Sequence, residues 1–188
     1  LVYIDVKRRP GEVKNTADRE AEEIVRYAAL HQDKSIGVIT PFVNQKKLIE
    51  DALRQHRLQN VACGTVHAFQ GDEKDVVLFA TAITDHTHAG TYAWLKNNKE
   101  LINVATSRAR EKLIVLSDTE NLARLHQKGE EDDLFELVEY VKKNGESRVS
   151  EKRANSRALG VKPFSTATEE AFLGNLNHAL QNIWLSQN

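Results

Sequence analysis

Two short polar segments of the chain contain charged side chains, and the first also contains a glycine. The first is a turn that contains Gln70, Gly71 and Glu73, and the second contains Arg108 and Arg110. A guanidinium is planar and always charged, so it can neutralise the charge of a phosphoryl group. A carboxylate accepts hydrogen bonds from sugar hydroxyls, and a glycine permits an approach that a side chain would block. These residue types are compatible with a ligand site.

Strands are predicted beside both polar segments. Small and branched residues alternate over residues 60 to 66, and a continuous apolar run follows the turn over residues 75 to 83. Such a run is typical of a strand that is buried on both faces. The arginines are predicted on a short helix that precedes another buried strand, residues 112 to 116. Both segments are therefore expected on adjacent strands of a parallel sheet, in the loops beyond the strand ends where α/β proteins usually bind ligands.

The chain before the first polar segment also alternates strands and helices. Residues 1 to 6 predict a strand, and Asn15 or Thr16 is expected to cap the helix that follows. Residues 35 to 40 predict the next strand, and a second helix is expected from Val43. This alternation predicts crossover connections, a mostly parallel sheet and an α/β fold.

The pattern changes after residue 118. Residues 119 to 143 predict helices only, and the polar, basic residues 146 to 165 predict a linker or surface arm. A capping box at residues 166 to 169 opens a further amphipathic helix. The predicted organisation is a first domain over residues 1 to 125 and, over residues 126 to 188, a helical extension with a basic linker in which a further domain could begin.

The composition excludes several classes of protein. A formal charge of −1 leaves room only for a local nucleic-acid surface, and a single cysteine excludes an internal disulfide and a cysteine metal site. No apolar run reaches the roughly 20 residues that span a bilayer, and no signal peptide opens the chain, so we expect an intracellular protein, cytoplasmic or nucleoid-associated. The chain begins in a predicted strand and contains no methionine, so we expect a piece of a longer protein.

Three motifs, in order, resemble motifs IV, V and VI of superfamily 1 helicases. They are Ile39-Thr-Pro-Phe-Val-Asn-Gln45, Thr65-Val-His-Ala-Phe-Gln-Gly-Asp-Glu-Lys-Asp75 and Asn103-Val-Ala-Thr-Ser-Arg-Ala-Arg110. The branch that they resemble most contains the nonsense-mediated-decay helicase and senataxin, which translocate 5′ to 3′. The resemblance covers roughly residues 1 to 125. It implies the second RecA-like domain of such a helicase, a parallel sheet of the P-loop NTPase type flanked by helices.

The resemblance also implies a role for each polar segment. Arg108 matches the arginine finger that faces the γ-phosphate of ATP, and Arg110 would support it or bind neighbouring carboxylates. Glu73 matches the acid of motif V that contacts the ribose or the water network near the phosphate, beside Gln70 and Gly71. Three further residues match contacts to single-stranded DNA or RNA, namely Thr40, Thr65 and His67. Phe69 is expected in the core.

One helicase motif is absent from the chain. No Gly-x-x-x-x-Gly-Lys-Ser/Thr sequence occurs, so the phosphate-binding loop and its Mg²⁺ site are missing. The resemblance implies that ATP and Mg²⁺ are bound mainly by a first RecA-like domain of the same protein, which is the expected partner. The chain alone is therefore expected to be inactive.

Alternative interpretations remain for several of these features. Arg108 and Arg110 could simply pair with Glu100 or Glu111 on the surface, and the domain could be a binding module for nucleic acid or protein that keeps the fold without the motor. It could also belong to a helicase–nuclease fusion, in which Glu169 or Glu170 would help to hold a metal. A metal clip at residues 85 to 88 and a nuclease motif at residues 5 to 14 are both rejected, so we assign no metal ligand.

Overall fold

The computed structural model describes residues 1–7, 15–69 and 72–150. Within them, six strands alternate with helices. The strands are β1 (Val2–Asp5), β2 (Ile36–Ile39), β3 (Val61–Gly64), β4 (Lys74–Ala80), β5 (Ala109–Ser117) and β6 (Glu146–Val149). The helices are α1 (Asp18–Leu30), α2 (Val43–Gln55), α3 (Ala89–Lys96), α4 (Lys99–Ser107), α5 (Thr119–Leu125) and α6 (Asp133–Asn144), with a 3₁₀ helix at Val66–Phe69.

The strands form one parallel sheet in the order β3-β2-β4-β5-β1-β6. The apolar runs that predicted buried strands are β4 and β5, which lie side by side in the middle of the sheet. Central parallel strands are covered on both faces, and this explains why their sequences are continuously apolar. The predicted α/β fold, a RecA-like parallel sheet flanked by helices, is confirmed.

The core packs on the sheet around aromatic residues. Phe69, at the end of the 3₁₀ helix, is 1% exposed, as predicted, and belongs to the same cluster as Phe79 and Tyr92. Helix α6 contributes Leu134 and Val138 to this cluster, so this part of the predicted helical extension packs on the sheet. The division of the chain at residue 125 stays a prediction. None of the described helices is long and apolar enough to cross a membrane.

The prediction of a linker from residue 146 is wrong for its first residues. Residues 146 to 149 are strand β6, which pairs in parallel with β1. The Glu146 N–H donates to the Leu1 carbonyl at 3.0 Å, and the Ser150 N–H donates to the Asp5 carbonyl at 2.8 Å. All four residues of β6 are exposed, so this edge strand has no apolar alternation by which it could be recognised. The rest of the predicted linker and the later helix lie outside the described residues.

Two local predictions also need correction. Helix α1 begins at Asp18 with Ala17 as its N-cap, so neither Asn15 nor Thr16 caps it. The Ala17 N–H instead donates to Oε1 of Gln45 at 2.8 Å, a partner that is distant in sequence. Helix α3 was not predicted, and it contains Gly90.

Candidate functional site

The sheet register places the two polar segments next to each other. Lys74 is paired with Ala109 across β4 and β5, and the Lys74 N–H donates to the Arg108 carbonyl at 2.9 Å. Glu73 and Arg108 are the residues immediately before these two positions. The expectation that the turn and the arginine segment are carried on neighbouring parallel strands is therefore confirmed.

The two segments lie at the amino end of the sheet, where the strands begin. Ligands of open α/β sheets usually bind beyond the carboxyl ends of the strands, and the sequence interpretation assumed that pattern. The chain leaves β3 at its carboxyl end, runs back through the 3₁₀ helix, and reaches Glu73 just before β4 starts. Arg108 likewise follows α4 and precedes β5. Both therefore precede a strand instead of following one.

The side chain of Arg108 contains a hydrogen-bond donor that is not satisfied within the described structure. Arg108 is the C-cap of α4 and is half-buried. Its Nε is buried and has no hydrogen-bond partner within the part of the chain that the structure describes. A buried N–H without a partner is rare and unfavourable, so Arg108 presents an unsatisfied donor beside the amino end of β5.

Arg110, in contrast, is engaged with a neighbouring carboxylate. It lies on β5, and its Nη2 donates to Oδ1 of Asp75 at 2.8 Å. The other carboxylate oxygen of Asp75 accepts from both the N–H and the hydroxyl of Ser35, each at 2.8 Å. These two hydrogen bonds, the backbone one first, and the Arg110 charge lower the pKa of Asp75. Through Asp75, Arg110 thus links β5 to the first residues of β4 and to Ser35, which directly precedes β2.

In the alternative interpretation, Arg108 or Arg110 would form an ion pair with Glu111. This pair does not occur among the residues that the structure describes. Glu111 instead binds Lys34, whose Nζ lies 2.8 Å from Oε2 of Glu111. Asp72, in the turn before β4, binds Lys74 with Nζ 2.7 Å from Oδ2. The amino end therefore carries three ion pairs among the described residues, and each connects side chains at or next to strand starts.

Glu73 lies between Asp72 and Lys74 and is exposed. Because this side chain is exposed, its carboxylate is accessible at the same end of the sheet as Arg108. Gln70 and Gly71, the other predicted members of this turn, lie outside the described residues.

The predicted nucleic-acid residues lie at the opposite, carboxyl end of the sheet. Thr40 follows β2 and Thr65 follows β3, and the Thr40 N–H donates to the Gly64 carbonyl at 3.2 Å. Thr40 is fully buried, and its hydroxyl has no hydrogen-bond partner in the described structure. Thr65 is half-buried. His67 lies in the 3₁₀ helix, and its side chain is outside the described part.

A buried polar cluster at the carboxyl end was missed by the sequence interpretation. Glu20 is 1% exposed, and its two carboxylate oxygens accept from the Ala82 N–H, each at 3.0 Å. The Gln45 amide donates to the same carboxylate at 3.1 Å. Ala82 has a positive φ of 52°, and the bond to Glu20 fixes this unusual turn. Acids in a first helical turn are common, so no sequence signal separated Glu20 from them.

No metal centre is formed by the described residues. They contain no group of three or more His, Cys, Asp or Glu side chains that could hold a metal ion. The histidines at residues 86 and 88 lie in and at the end of the loop before α3.

The fold and these motifs define the class of the protein as a RecA-like α/β domain. A protein-family model described as an AAA domain matches residues 7–120. The chain belongs to this family, and it is the C-terminal RecA-like domain of a superfamily 1B helicase.

Three relatives illustrate the range of similar proteins. DNA polymerase alpha-associated DNA helicase A of Saccharomyces cerevisiae is 37% identical over 51% of this chain. The DNA replication ATP-dependent helicase/nuclease DNA2 of Bos taurus is 35% identical over 47%, and the RNA helicase Mov10l1 of Mus musculus is 33% identical over 67%. This chain spans 14%, 8% and 11% of the lengths of these relatives.

The chain also matches solved structures. One of them is the C-terminal domain of a possible DNA helicase from Lactobacillus plantarum WCFS1, with a TM-score of 0.41 and 16% identity over 67% of this chain and 80% of that chain. A similarity this distant supports no statement about function.

Proposed function

We propose that this chain is the second motor domain of an ATP-dependent helicase that moves along single-stranded nucleic acid. In this proposal Arg108 is the arginine finger. The observation that carries the proposal is the buried Arg108 Nε, which has no partner among the described residues while Arg110 is bound to Asp75. Because this Nε is buried, the Arg108 guanidinium would turn outward to meet a phosphate that another domain holds, and it would break no hydrogen bond from Nε in doing so.

The residues at the amino end fit a nucleotide. Arg108 offers positive charge for the terminal phosphate, and the exposed carboxylate of Glu73 can accept hydrogen bonds from ribose hydroxyls. Gln70 and Gly71 complete the same turn by their positions in the sequence. ATP with Mg²⁺ supplies the phosphoanhydride bond whose hydrolysis drives movement. We assign the main binding of both to a first RecA-like domain of the same protein.

The ion pairs at the amino end support the finger. The Arg110–Asp75–Ser35 contacts fix the start of β5 against β2 and β4, and the hydrogen bond from Lys74 holds the Arg108 carbonyl. Arg108 is thereby placed on a constrained backbone, and a preorganised charge is more effective in catalysis than one that must be ordered during the reaction. Arg110 acts as a positioning residue in this proposal.

The nucleic-acid track lies at the other end of the sheet. Thr40, Thr65 and His67 follow neighbouring strand ends, and we assign them to contacts with phosphates and sugars. Thr40 is fully buried, so the segment after β2 would have to shift before the Thr40 hydroxyl could reach a phosphate. Contacts with phosphates and sugars fix a strand in place without reading its bases, as a motor that steps along any sequence requires. Relatives named as DNA helicases and as an RNA helicase support a single-stranded nucleic acid as the track.

Replacing Arg108 in the full-length helicase tests the proposal. Arg108→Ala should lower nucleic-acid-stimulated ATPase activity by about 1,000-fold, because one phosphate-stabilising charge is lost, and should leave nucleic-acid affinity nearly unchanged. Arg54→Ala is a matched control, since Arg54 is 77% exposed and pairs only locally with Asp51 in the described structure. ATPase activity of Arg108→Ala within twofold of the parent would contradict the finger and favour a non-catalytic binding module.

A further inference from the structure

An aromatic pair with no assigned role lies at the carboxyl end of the sheet. Phe42 precedes α2, and Trp94 lies on α3, with ring centroids 6.0 Å apart and planes tilted by 44°. Phe42 packs partly against the core, whereas Trp94 is 51% exposed. Phe42 thus supports one side of the Trp94 ring while much of that ring is open to solvent.

The pair lies beside the predicted nucleic-acid residues. Phe42 is two residues after Thr40, in the segment between β2 and α2. Trp94 reaches this place because α3 follows the carboxyl end of β4, the direct neighbour of β2. Val43, next to Phe42, is 73% exposed. An aromatic surface and the buried Thr40 hydroxyl therefore occupy one end of the sheet.

The charge around the pair suits a polyanion. Residues 35 to 49 contain two lysines and no Asp or Glu. Lys46 is paired with Glu50 at 2.9 Å, so Lys47 supplies the positive charge of this segment. Helix α2 starts in this segment without an acid in its first turn and without a side-chain cap, so its positive dipole end is uncompensated. Lys47 is exposed in the second turn. The unpartnered hydroxyl of the fully buried Thr40 lies three residues before this helix.

We infer that Trp94, supported by Phe42, is a stacking platform for a base of single-stranded nucleic acid whose phosphates pass the start of α2. Stacking on an indole tolerates any base because every base has a π-face. A tilted aromatic neighbour orients the ring, which reduces the entropy lost on stacking. The inference rests on the proposed nucleic-acid track and adds a contact to bases to the contacts with phosphates and sugars.

Tryptophan fluorescence tests the inference directly. The chain contains two tryptophans, Trp94 and Trp184, so Trp184→Phe leaves Trp94 as the single reporter. This variant is titrated with a fluorescein-labelled oligothymidylate and with an abasic oligonucleotide of the same length, while anisotropy reports binding. We expect the oligothymidylate to quench Trp94 and the abasic strand to bind more weakly without quenching.

Variants of the platform complete the test. Trp94→Ala should weaken oligothymidylate binding by about tenfold, and Trp94→Phe should restore most of the affinity. Tyr140→Ala is the matched control, because Tyr140 is an aromatic residue of α6 that is 60% exposed, and it should bind as the parent does. The melting temperature of each variant shows whether the fold is kept.

The outcomes separate this inference from the proposed function. Binding of oligothymidylate without quenching, or equal quenching by the abasic strand, would overturn the platform and leave the phosphate track intact. Parental affinity in Trp94→Ala would do the same. No binding of either strand at low salt would overturn the track and the platform together. Quenching that is restricted to the strand with bases, together with the loss in Trp94→Ala, would establish the platform.

Discussion

The two ends of the sheet are built from different kinds of interaction. At the amino end, charged side chains pair with one another across strand starts, as Arg110 does with Asp75. At the carboxyl end, the buried carboxylate of Glu20 is bound by backbone and amide N–H groups, and an aromatic pair faces solvent. The amino end therefore presents fixed charge, and the carboxyl end presents hydroxyls, backbone and rings. Fixed charge suits a phosphoryl group. Hydroxyls, backbone groups and rings suit contacts with nucleic acid that do not depend on its base sequence.

Removing the Glu20 carboxylate should have the largest effect on stability. Glu20→Ala leaves the Ala82 N–H and the Gln45 amide without their buried acceptor. The loss should lower the free energy of unfolding by about 3 kcal/mol or more, measured by urea denaturation. Glu139→Ala, at a half-exposed acid on α6, should change it by less than about 0.5 kcal/mol. A loss below 1 kcal/mol in Glu20→Ala would show that the carboxyl end is not held by this cluster.

Arg110 provides the sharpest contrast with Arg108 at the amino end. Arg110→Ala in the full-length helicase should reduce kcat by about tenfold, because the start of β5 loses its contact with Asp75 and the finger is less well positioned. The KM for ATP should change little. The measurement is steady-state ATPase activity with saturating nucleic acid.

Two results decide between positioning and direct catalysis by Arg110. Asp75→Asn, which removes the charge partner but keeps Arg110, should produce a loss similar to that of Arg110→Ala. If Arg110→Ala loses as much activity as Arg108→Ala while Asp75→Asn keeps parental activity, Arg110 itself contacts the nucleotide and the contrast between the two arginines is wrong.

The parts of the fold that follow from local sequence were predictable. Strands β4 and β5 are continuous apolar runs, and their neighbouring positions follow from the alternation of strands and helices. Strand β6 was missed because its hydrogen bonds to β1 are made by the backbone and leave its side chains exposed. Pairing of this kind leaves no trace in side-chain pattern.

The candidate site was predictable in composition but less so in arrangement. The motifs contain Arg108 and Glu73, and the register confirms their adjacency. The position at the amino end depends on the path of the chain through the 3₁₀ helix, which no local pattern reveals. The partners of Gln45 are Ala17 and Glu20, more than 20 residues away, so its role in joining α1 to α2 required the structure.

Removal of the Thr40 hydroxyl should affect nucleic-acid binding and stability in opposite directions. Thr40→Val replaces the buried hydroxyl that has no partner in the described structure with a methyl group of similar size. Stability should stay the same or rise by up to about 1 kcal/mol, because an unsatisfied polar group is removed. Oligothymidylate affinity should fall severalfold if the hydroxyl binds a phosphate, and Thr40→Ser should keep it. Parental affinity in Thr40→Val would remove Thr40 from the track.

The smallest expected effect is the pH dependence of the Asp75 contacts. The hydrogen bonds from Ser35 and the Arg110 charge lower the pKa of Asp75 in the folded chain, so the folded state favours the ionised carboxylate. The resulting stabilisation is fully present above the unfolded-state value of about 3.9 and is lost as the pH falls through the lower folded-state pKa. The parent should therefore be more stable than Asp75→Asn at pH 7, and the difference should shrink below about pH 4. Urea denaturation at pH 7, 5, 4 and 3 measures this difference, with Asp51→Asn as a half-exposed control. A difference that stays constant down to pH 3 would mean that the Asp75 charge does not hold the amino end together.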